Sequence, residues 1–464
     1  MSELAFLTVT ETARGLRERT FSALELVEAN AGQIERWNES HAVFTLTTIE
    51  EARERARQLD AEAARGVFRG PLHGLTVAVK DLIDVAGYPN TAGTGARRHA
   101  DPAASHAPAV QALTDAGANV IGLANLHEWA YGGSSSNPFF GSVRNIWDEA
   151  RIPGGSSGGS AVAVAAGMAS FALGTDTGGS VRIPASLTGI SSLKVTVGSV
   201  PTRGVMPLSW TLDTVGPMAR RAEDLALPYA ALRTRASRGA AAQRPRPDLR
   251  RLVVGIDRDY YLQRARIDPD VYAVFTGVLA DLEAVGARVV DTSIPLLQES
   301  SPAQYALVLA EASAIHSGAH RAERGGYGED VQALLALGDT VLAGDYLAAL
   351  RFRTELWAQM RAVFEEVDVL LSPTTPHAAT LVGQDEVVWP DGSSESFLDA
   401  CWRFTYPSNL VGIPSTSQPC GLTSSGLPVG LQIIGRPNSE PFLLDLAGSM
   451  ERTFDWDFRA PATL

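Results

Sequence analysis

Residues 75–84 read LTVAVKDLID. Leu75, Val77 and Val79 alternate with Thr76, Ala78 and Lys80, the two-residue period of a strand over 75–80. Lys80 then stands at the C-terminal end of that strand, where open α/β sheets place their sites. The residue type matters as much as the position. The chain carries 39 Lys plus Arg, yet Lys80 and Lys194 are its only lysines. Arg keeps its proton, whereas Lys can lose one at a usable pH and act as a base. Lys80 therefore reads as a candidate base, against the plainer reading of a lysine kept by chance or paired with a carboxylate.

Outward from this strand, helical and strand patterns alternate. The first 65 residues read as helical, and Thr8 with Glu11 and Ser22 with Glu25 each fit a capping box. NVIGLA (119–124) and SFALG (170–174) have strand length and character, with an Ala-rich helix between them near 159–167. Further strands are expected at LVVGI (252–256), ARVV (287–290), VDVLL (367–371) and VGLQII (429–434). A helix is expected after Asp268 as N-cap, with Pro269 at its first position, Val271, Phe275, Val278, Leu279 and Leu282 on one face and Gly286 as its stop. Residues 233–251 (RTRASRGAAAQRPRPDLRR) read as a solvated surface loop and the only internal boundary, without separating two independent folds. The pattern predicts an α/β fold with a central mixed, largely parallel twisted β-sheet surrounded by helices.

Bulk composition narrows the function. With 39 basic and 52 acidic residues the net charge is −13, which argues against a nucleic-acid surface built on clustered Lys and Arg. Cys401 and Cys420 cannot form a disulfide framework and show no metal-ligand spacing. The N-terminus does not read as a secretory signal, and no run reaches the roughly 18 apolar residues of a membrane span. A cytoplasmic location with no membrane or nucleic-acid partner is expected. A homo-oligomer is compatible with the sequence.

Two stretches carry candidate chemistry: PGGSSGGS (153–160) and GTDTGGSVRIPA (174–185). Glycine lets backbone approach a ligand closely, and consecutive N–H groups form a concave anion site. A serine at the end of such a nest can attack a carbonyl while the N–H groups hold the oxygen that becomes negative. A flexible Gly/Ser turn is the plain alternative, though each stretch leads straight into a patterned element. Histidine is the usual base for a serine. Gly154, Gly155, Ser156, Ser157 and Gly158 also spell G-x-S-x-G, which raises an esterase-type α/β-hydrolase with Ser156 as nucleophile and a later His such as His377. No HGGG-type motif precedes it, and WDEARIP (147–153) does not read as the required strand. His127, in NLHEWAYGG, sits beside Glu128 and Trp129 and reads more as a hydrogen-bonded side chain than a base. His316 and His320, with only Glu311 and Glu323 for company, make no metal motif. No phosphate-loop or complete dinucleotide fingerprint is present, so no metal or organic cofactor is expected. Lysine is left as the base.

Lys80 in VAVKD, Ser156 in PGGSSGGS and Ser180 in GTDTGGSVRIPA, 24 residues on, together resemble the Ser–cisSer–Lys triad of the amidase signature family. The resemblance is strongest over 70–220, resumes at VDVLLSPTTP (367–376) and returns over 404–437. It implies one amidase signature domain over 1–464. Its parts would be an N-terminal helical part (1–65), the catalytic core (70–220), variable substrate-side helices (235–365) and a C-terminal part rejoining the core sheet (366–464). Ser180 would be the nucleophile, Ser156, after a cis peptide bond, the proton relay and Lys80 the base. Thr177, Gly178, Gly179 and Ser180 would offer N–H groups to the oxyanion, with Ser157, Asp176 and Arg182 holding the loops. Pro184 fits the first turn of the following helix. Lys194 falls where the family has Leu-Lys-Pro, with Val195 in place of that Pro, and reads as structural. Trp129, Tyr131, Gly132 and Gly133 are expected at the substrate pocket, with Trp402, Phe404 and the segment near Trp210 as further candidates.

The implied reaction is hydrolysis of an amide-type C–N bond, in a small or aryl amide, a carbamate or a ureide, through an acyl-enzyme, with water as second substrate. The alternative from another class is the glutaminase component of a tRNA-dependent amidotransferase. The acidic balance and the 27 residues after GRP speak against that tRNA-linked role.

Overall fold

The computed structural model describes residues 3–234, 237, 247–318 and 326–463. Its strands, in chain order, are β1 (Phe44–Thr47), β2 (Thr76–Lys80), β3 (Asn119–Ala124), β4 (Phe171–Asp176), β5 (Ser191–Lys194), β6 (Thr214–Ala219), β7 (Val253–Ile256), β8 (Arg288–Asp291), β9 (Val369–Pro373), the short pair β10 (Glu386–Val388) and β11 (Ser394–Ser396), β12 (Ser415–Leu422) and β13 (Pro428–Ile434). All but the short pair join one 11-stranded sheet in the order β1-β3-β2-β4-β6-β5-β12-β13-β9-β7-β8. Helices surround it, as the α/β reading expects.

The sheet is mixed, and its parallel character is regional. β3, β2 and β4 form one parallel block, and β9, β7 and β8 another. Between them, β4-β6-β5-β12-β13-β9 runs antiparallel throughout. Within this middle, β4, β9 and β13 coincide with expected strands, whereas β5, β6 and β12 escape the hydrophobic period because they are chemically unlike strands. β6 reads TVGPMA and β12 reads STSQPCGL, each carrying a Gly and a Pro. A bulge between Pro419 and Gly421 accommodates that proline in the ladder. β1, four residues long, also interrupts the N-terminal part expected to be helical.

The expected strands are present. β2 lies between parallel neighbours and is buried along its whole length, so Lys80 ends an interior strand. β4 runs two residues beyond Gly174, which places Asp176 at its end. Both N-terminal capping boxes form, with each Ser or Thr hydroxyl accepting from the N3 backbone and each Glu accepting from the cap backbone. The helix Pro269–Ala284 starts at Asp268, whose carboxylate accepts from Asp270 N, and it buries Val271, Phe275, Val278, Leu279 and Leu282. Of the expected surface loop, residues 235, 236 and 238–246 lie outside the described residues.

Three buried clusters fill the interior. The largest spans β2, β3 and β4 with the N-terminal and 300–366 helices. A second lies under β7, β9 and β13, against Pro269–Ala284 and Glu440–Phe454. The third gathers Ile183, Leu187, Phe397, Cys401, Trp402 and Tyr406 beside the Gly/Ser loops.

Candidate active site

The end of β2 carries Lys80 into a region sealed from solvent. Its Nζ lies 2.7 Å from Ser156 Oγ, 2.9 Å from Ser157 Oγ and 2.9 Å from Thr175 Oγ1. Among the described residues, no carboxylate touches it. Burial penalises the ammonium form and lowers the pKa to about 7, opposed by the fields of Asp176 and Asp213. Asp81, the next residue, points elsewhere. Its carboxylate accepts from the hydroxyls of Thr45 and Thr91 and from Thr91 N, and burial raises it to about 6 despite those bonds.

Ser156 is delivered by the loop before the helix Gly158–Ala165. The Gly155–Ser156 peptide is cis. The loop is cradled by 127–136. Ser135 Oγ donates to Gly154 O at 2.9 Å and accepts from Gly158 N at 3.0 Å, and His127 N donates to Ser156 O at 3.1 Å. A Cβ on Gly155 would stand 2.8 Å from Ser135 N and 2.9 Å from Gly133 C, so only glycine fits. Ser157 Oγ donates back to Thr175 O at 3.2 Å, which leaves it to accept from Lys80.

Ser180 sits in the turn between β4 and the helix Arg182–Thr188. Asp176 and Arg182 fix this turn from below. The Asp176 carboxylate accepts from Arg182 Nη2 and Nε at 2.9 and 3.0 Å, from Gly179 N at 2.9 Å and from Asn409 Nδ2 at 2.8 Å. Burial pushes this carboxyl up, but Arg182, Lys194 and Asn409 overcome it and hold it at about 2. Arg182 spends its remaining donors on Thr405 O, Ser408 Oγ, Asn409 Oδ1 and Gln432 Oε1. The two loops are joined by Ser157 N donating to Ser180 O at 3.1 Å.

The Gly179 N–H, expected as an oxyanion donor, is instead committed to Asp176. Among the described residues, the N–H groups of Thr177, Gly178 and Ser180 have no acceptor, and Ser180 Oγ has no hydrogen-bond partner. The Lys80–Ser156 link is thus made in this structure, and a Ser156–Ser180 hydrogen bond is not. Rotation of one serine side chain is a fast motion, and unliganded catalytic bonds are commonly loose.

The remaining candidates separate. Gly133 borders the Ser156 loop, since a Cβ on Gly155 would stand 2.9 Å from its carbonyl carbon, and its own missing Cβ would meet Cys401 Sγ, Phe397 and Trp402 Nε1. Gly132 faces the His127 ring. Trp129 points away from the serines. It packs against His316 and Tyr327 and lines a separate cavity with Gly95, Arg97 and His99. Tyr131 is buried with its hydroxyl unpartnered among the described residues. His127 Nε2 pairs with Asp330 Oδ2 at 2.8 Å and does not approach either serine hydroxyl. His377 Nδ1 bonds Ala378 O, and among the described residues no strand leads directly into Gly154, so the α/β-hydrolase arrangement around Ser156 is not formed. His320 and Glu323 lie outside the described residues. Trp210 is exposed, and Phe404 packs with Tyr260 and Tyr261. Lys194 donates to Val195 O and Ile413 O and takes no part in the cluster.

Sequence reasoning missed Thr175, Asp213, Gln304, Thr405 and Asn409. Thr177 Oγ1 donates to Asp213 at 2.6 Å, Gln304 Nε2 to Thr177 O at 3.0 Å and Thr405 Oγ1 to Gly178 O at 2.5 Å. Thr175 lay inside the quoted GTDTGGS stretch, where its position two residues before Thr177 on a strand was the available signal. Gln304 stands in a helix with no local mark of function.

Known proteins resemble this chain over nearly its whole length. The model of the Amidase family matches residues 25–444. The chain is 38% identical over 474 residues to an amidase of Pseudomonas putida, with 99% of each chain covered. It is 37% identical over 494 residues to a glutamyl-tRNA(Gln) amidotransferase subunit of Chloroflexus aggregans, again over 99% of each. A crystal structure of an amidase superposes with a TM-score of 0.90 at 35% identity, covering 97% of this chain and 100% of that one. The buried lysine, the two serine loops and this near full-length match together show that the chain belongs to the amidase family and shares the fold of the amidase signature enzymes.

Proposed function

We propose that this protein hydrolyses small or aryl amides, with carbamates and ureides as related substrates, through an acyl-enzyme on Ser180. The observation that carries this reading is the sealed contact of Lys80 Nζ with Ser156 Oγ at 2.7 Å. A neutral amine has two N–H donors and one lone pair. Ser157 takes one donor, because its own proton goes to Thr175 O. The lone pair can then receive the Ser156 proton, which frees Ser156 Oγ to receive one from Ser180. Ser180 Oγ attacks the carbonyl carbon, and the electron pair of the C=O bond moves to oxygen, facing the N–H groups of Thr177, Gly178 and Ser180. Collapse breaks the C–N bond. The departing nitrogen takes a proton through Ser156 from the Lys80 ammonium. Water then enters, gives its proton along the same path, and releases the acid. Ser157, Asp176 and Arg182 hold the loops that carry these groups.

The side chains nearest the site glycines support an apolar acyl group. Gly133 faces Cys401, Phe397 and Trp402, and Gly178 faces the Tyr406 ring. None is charged, whereas a free amino acid would need charged or well-paired partners for its ammonium and carboxylate. The similarity to the amidotransferase component favours a second reading, in which the chain hydrolyses glutamine and passes ammonia to a partner. A fluorophosphonate probe mapped by mass spectrometry, followed by a screen of amides, anilides, carbamates, ureides and glutamine, tests both. Label on Ser180 and turnover of aryl amides are expected. Label on Ser156 overturns the assignment of the nucleophile, and turnover of glutamine alone favours the second reading.

A further inference from the structure

In a trans peptide the C=O and the following N–H lie in one plane and point in opposite directions. Whatever grips a carbonyl therefore aims the next N–H. In the 176–180 turn every carbonyl is gripped. Asp176 O accepts from Thr214 Oγ1 at 3.0 Å, Thr177 O from Gln304 Nε2 at 3.0 Å, Gly178 O from Thr405 Oγ1 at 2.5 Å and Gly179 O from Ile183 N at 2.7 Å. These four contacts set the directions of the Thr177, Gly178, Gly179 and Ser180 N–H groups in turn. Gly179 N–H is spent on Asp176, so Gly178 is the glycine of the turn whose N–H stays available.

Three of the four grips come from segments of the shared core or its return. The fourth, on the peptide that carries the Gly178 N–H, comes from Gln304 in the helix Ser300–His316, within the region where the chain shows no signature motif. Gln304 is 1% exposed, and its Nε2 lies 3.5 Å from where a Gly178 Cβ would stand. The same helix is tied to the turn a second time. Glu311 accepts from Ser209 Oγ at 2.7 Å and Thr211 Oγ1 at 2.7 Å, and Asp213, which accepts from Ser209 N, accepts from the Thr177 hydroxyl. The helix is therefore rigidly referenced to Thr177 through both its carbonyl and its side chain.

We propose that Gln304 is a positioning residue that aims the Gly178 N–H at the oxygen on which charge develops. The inference rests on Ser180 being the nucleophile and the turn being its oxyanion site. Gln304→Met keeps the length of the side chain and removes its N–H. With an aryl amide substrate, kcat is expected to fall about 10- to 100-fold while KM stays within about threefold, the pattern of a donor that matters only in the transition state. Phenylboronic acid, which forms a tetrahedral adduct on a nucleophilic serine, is expected to bind more weakly by the same factor. Binding of benzamide to Ser180→Ala is expected to be unchanged by adding Gln304→Met. Gln304→Leu, similar in size and also without an N–H, is expected to repeat the loss, and unchanged denaturant midpoints for the two variants guard against a folding defect. A kcat within twofold of wild type in both variants overturns the inference. So does an equal loss of benzamide and boronic acid affinity, which marks a pocket contact. Failure of the wild-type protein to bind the boronic acid or cleave any amide overturns the parent reading instead.

Discussion

Lys80 Nζ and Ser156 Oγ lie 2.7 Å apart inside the protein, and among the described residues no acid touches the amine. An ammonium at this place would have three hydroxyl acceptors and no counter-charge in contact. A neutral amine is the better occupant, and the lowered pKa of about 7 expresses that balance. In the proposed mechanism this contact supplies a base without histidine.

The first consequence is a pH profile. The proposed mechanism needs Lys80 unprotonated, so kcat/KM is expected to rise with pH through an apparent pKa near 7 and level off above it. Lys80→Arg keeps a proton at every accessible pH, and its turnover is expected to fall to the background rate with the far-ultraviolet spectrum unchanged. A variant with near wild-type turnover would reject the lysine as base.

Stability carries the same signature. An unfolded lysine titrates near 10.4, and the folded one near 7, so the unfolded chain binds more protons between those values. The contribution of Lys80 to stability is therefore lowest below pH 7 and grows as pH rises towards 10. Lys80→Met removes this term, so the stability of the variant relative to wild type is expected to be highest near pH 6 and to decline by pH 9. Lys194, also lowered to about 7 by burial, keeps its own slope in both proteins. Parallel denaturant curves at the two pH values decide the matter, and a constant difference contradicts a neutral Lys80.

The serines should not be equivalent. Ser180→Ala is expected to show only background turnover, because the proposed nucleophile is gone. Ser156→Ala is expected to retain on the order of tenfold more, since a water can stand where the relay hydroxyl stood. Single-turnover rates on one amide compare them, and equal residual rates count against the assigned roles.

The Asp176–Arg182 pair lies wholly buried beneath the Ser180 turn. Arg182→Ala leaves the carboxylate uncompensated, and a loss of about 3–5 kcal/mol in unfolding free energy is expected. A loss below about 1 kcal/mol, read from denaturant midpoints, shows that this pair does not organise the turn.

Two glycines give a matched comparison. Gly179 has φ +127° and would place a Cβ 2.4 Å from Thr405 Oγ1, whereas Gly198 has φ +80° with nothing within 4 Å. Gly179→Ala is expected to abolish turnover, since it displaces the backbone that carries Ser180. Gly198→Ala is expected to cost about 1–2 kcal/mol of stability from its left-handed backbone alone and to leave kcat unchanged. Thermal melts and initial rates on both proteins test the contrast.

The sequence determined the elements whose chemistry is local. A strand ending in Lys80 was legible because side chains alternate along an extended backbone, and the helix from Pro269 because its cap, first proline and apolar face are all short-range features. The Gly/Ser loops were legible because glycine at close backbone approach leaves no substitute, as Gly155 and Gly179 show. Tertiary structure alone decided the rest. β6 and β12 hold polar and small residues whose strand character comes from pairing, β6 with β4 and β12 with both the adjacent β13 and the distant β5. Trp129 looked like a pocket residue beside Gly133, yet a turn of backbone between them sends its ring to His316 and Tyr327. Gly179 N–H, Asp213 and Gln304 drew their parts from hydrogen bonds that form when the turn is folded, and a hydrogen bond between positions 127 residues apart leaves no period in a sequence.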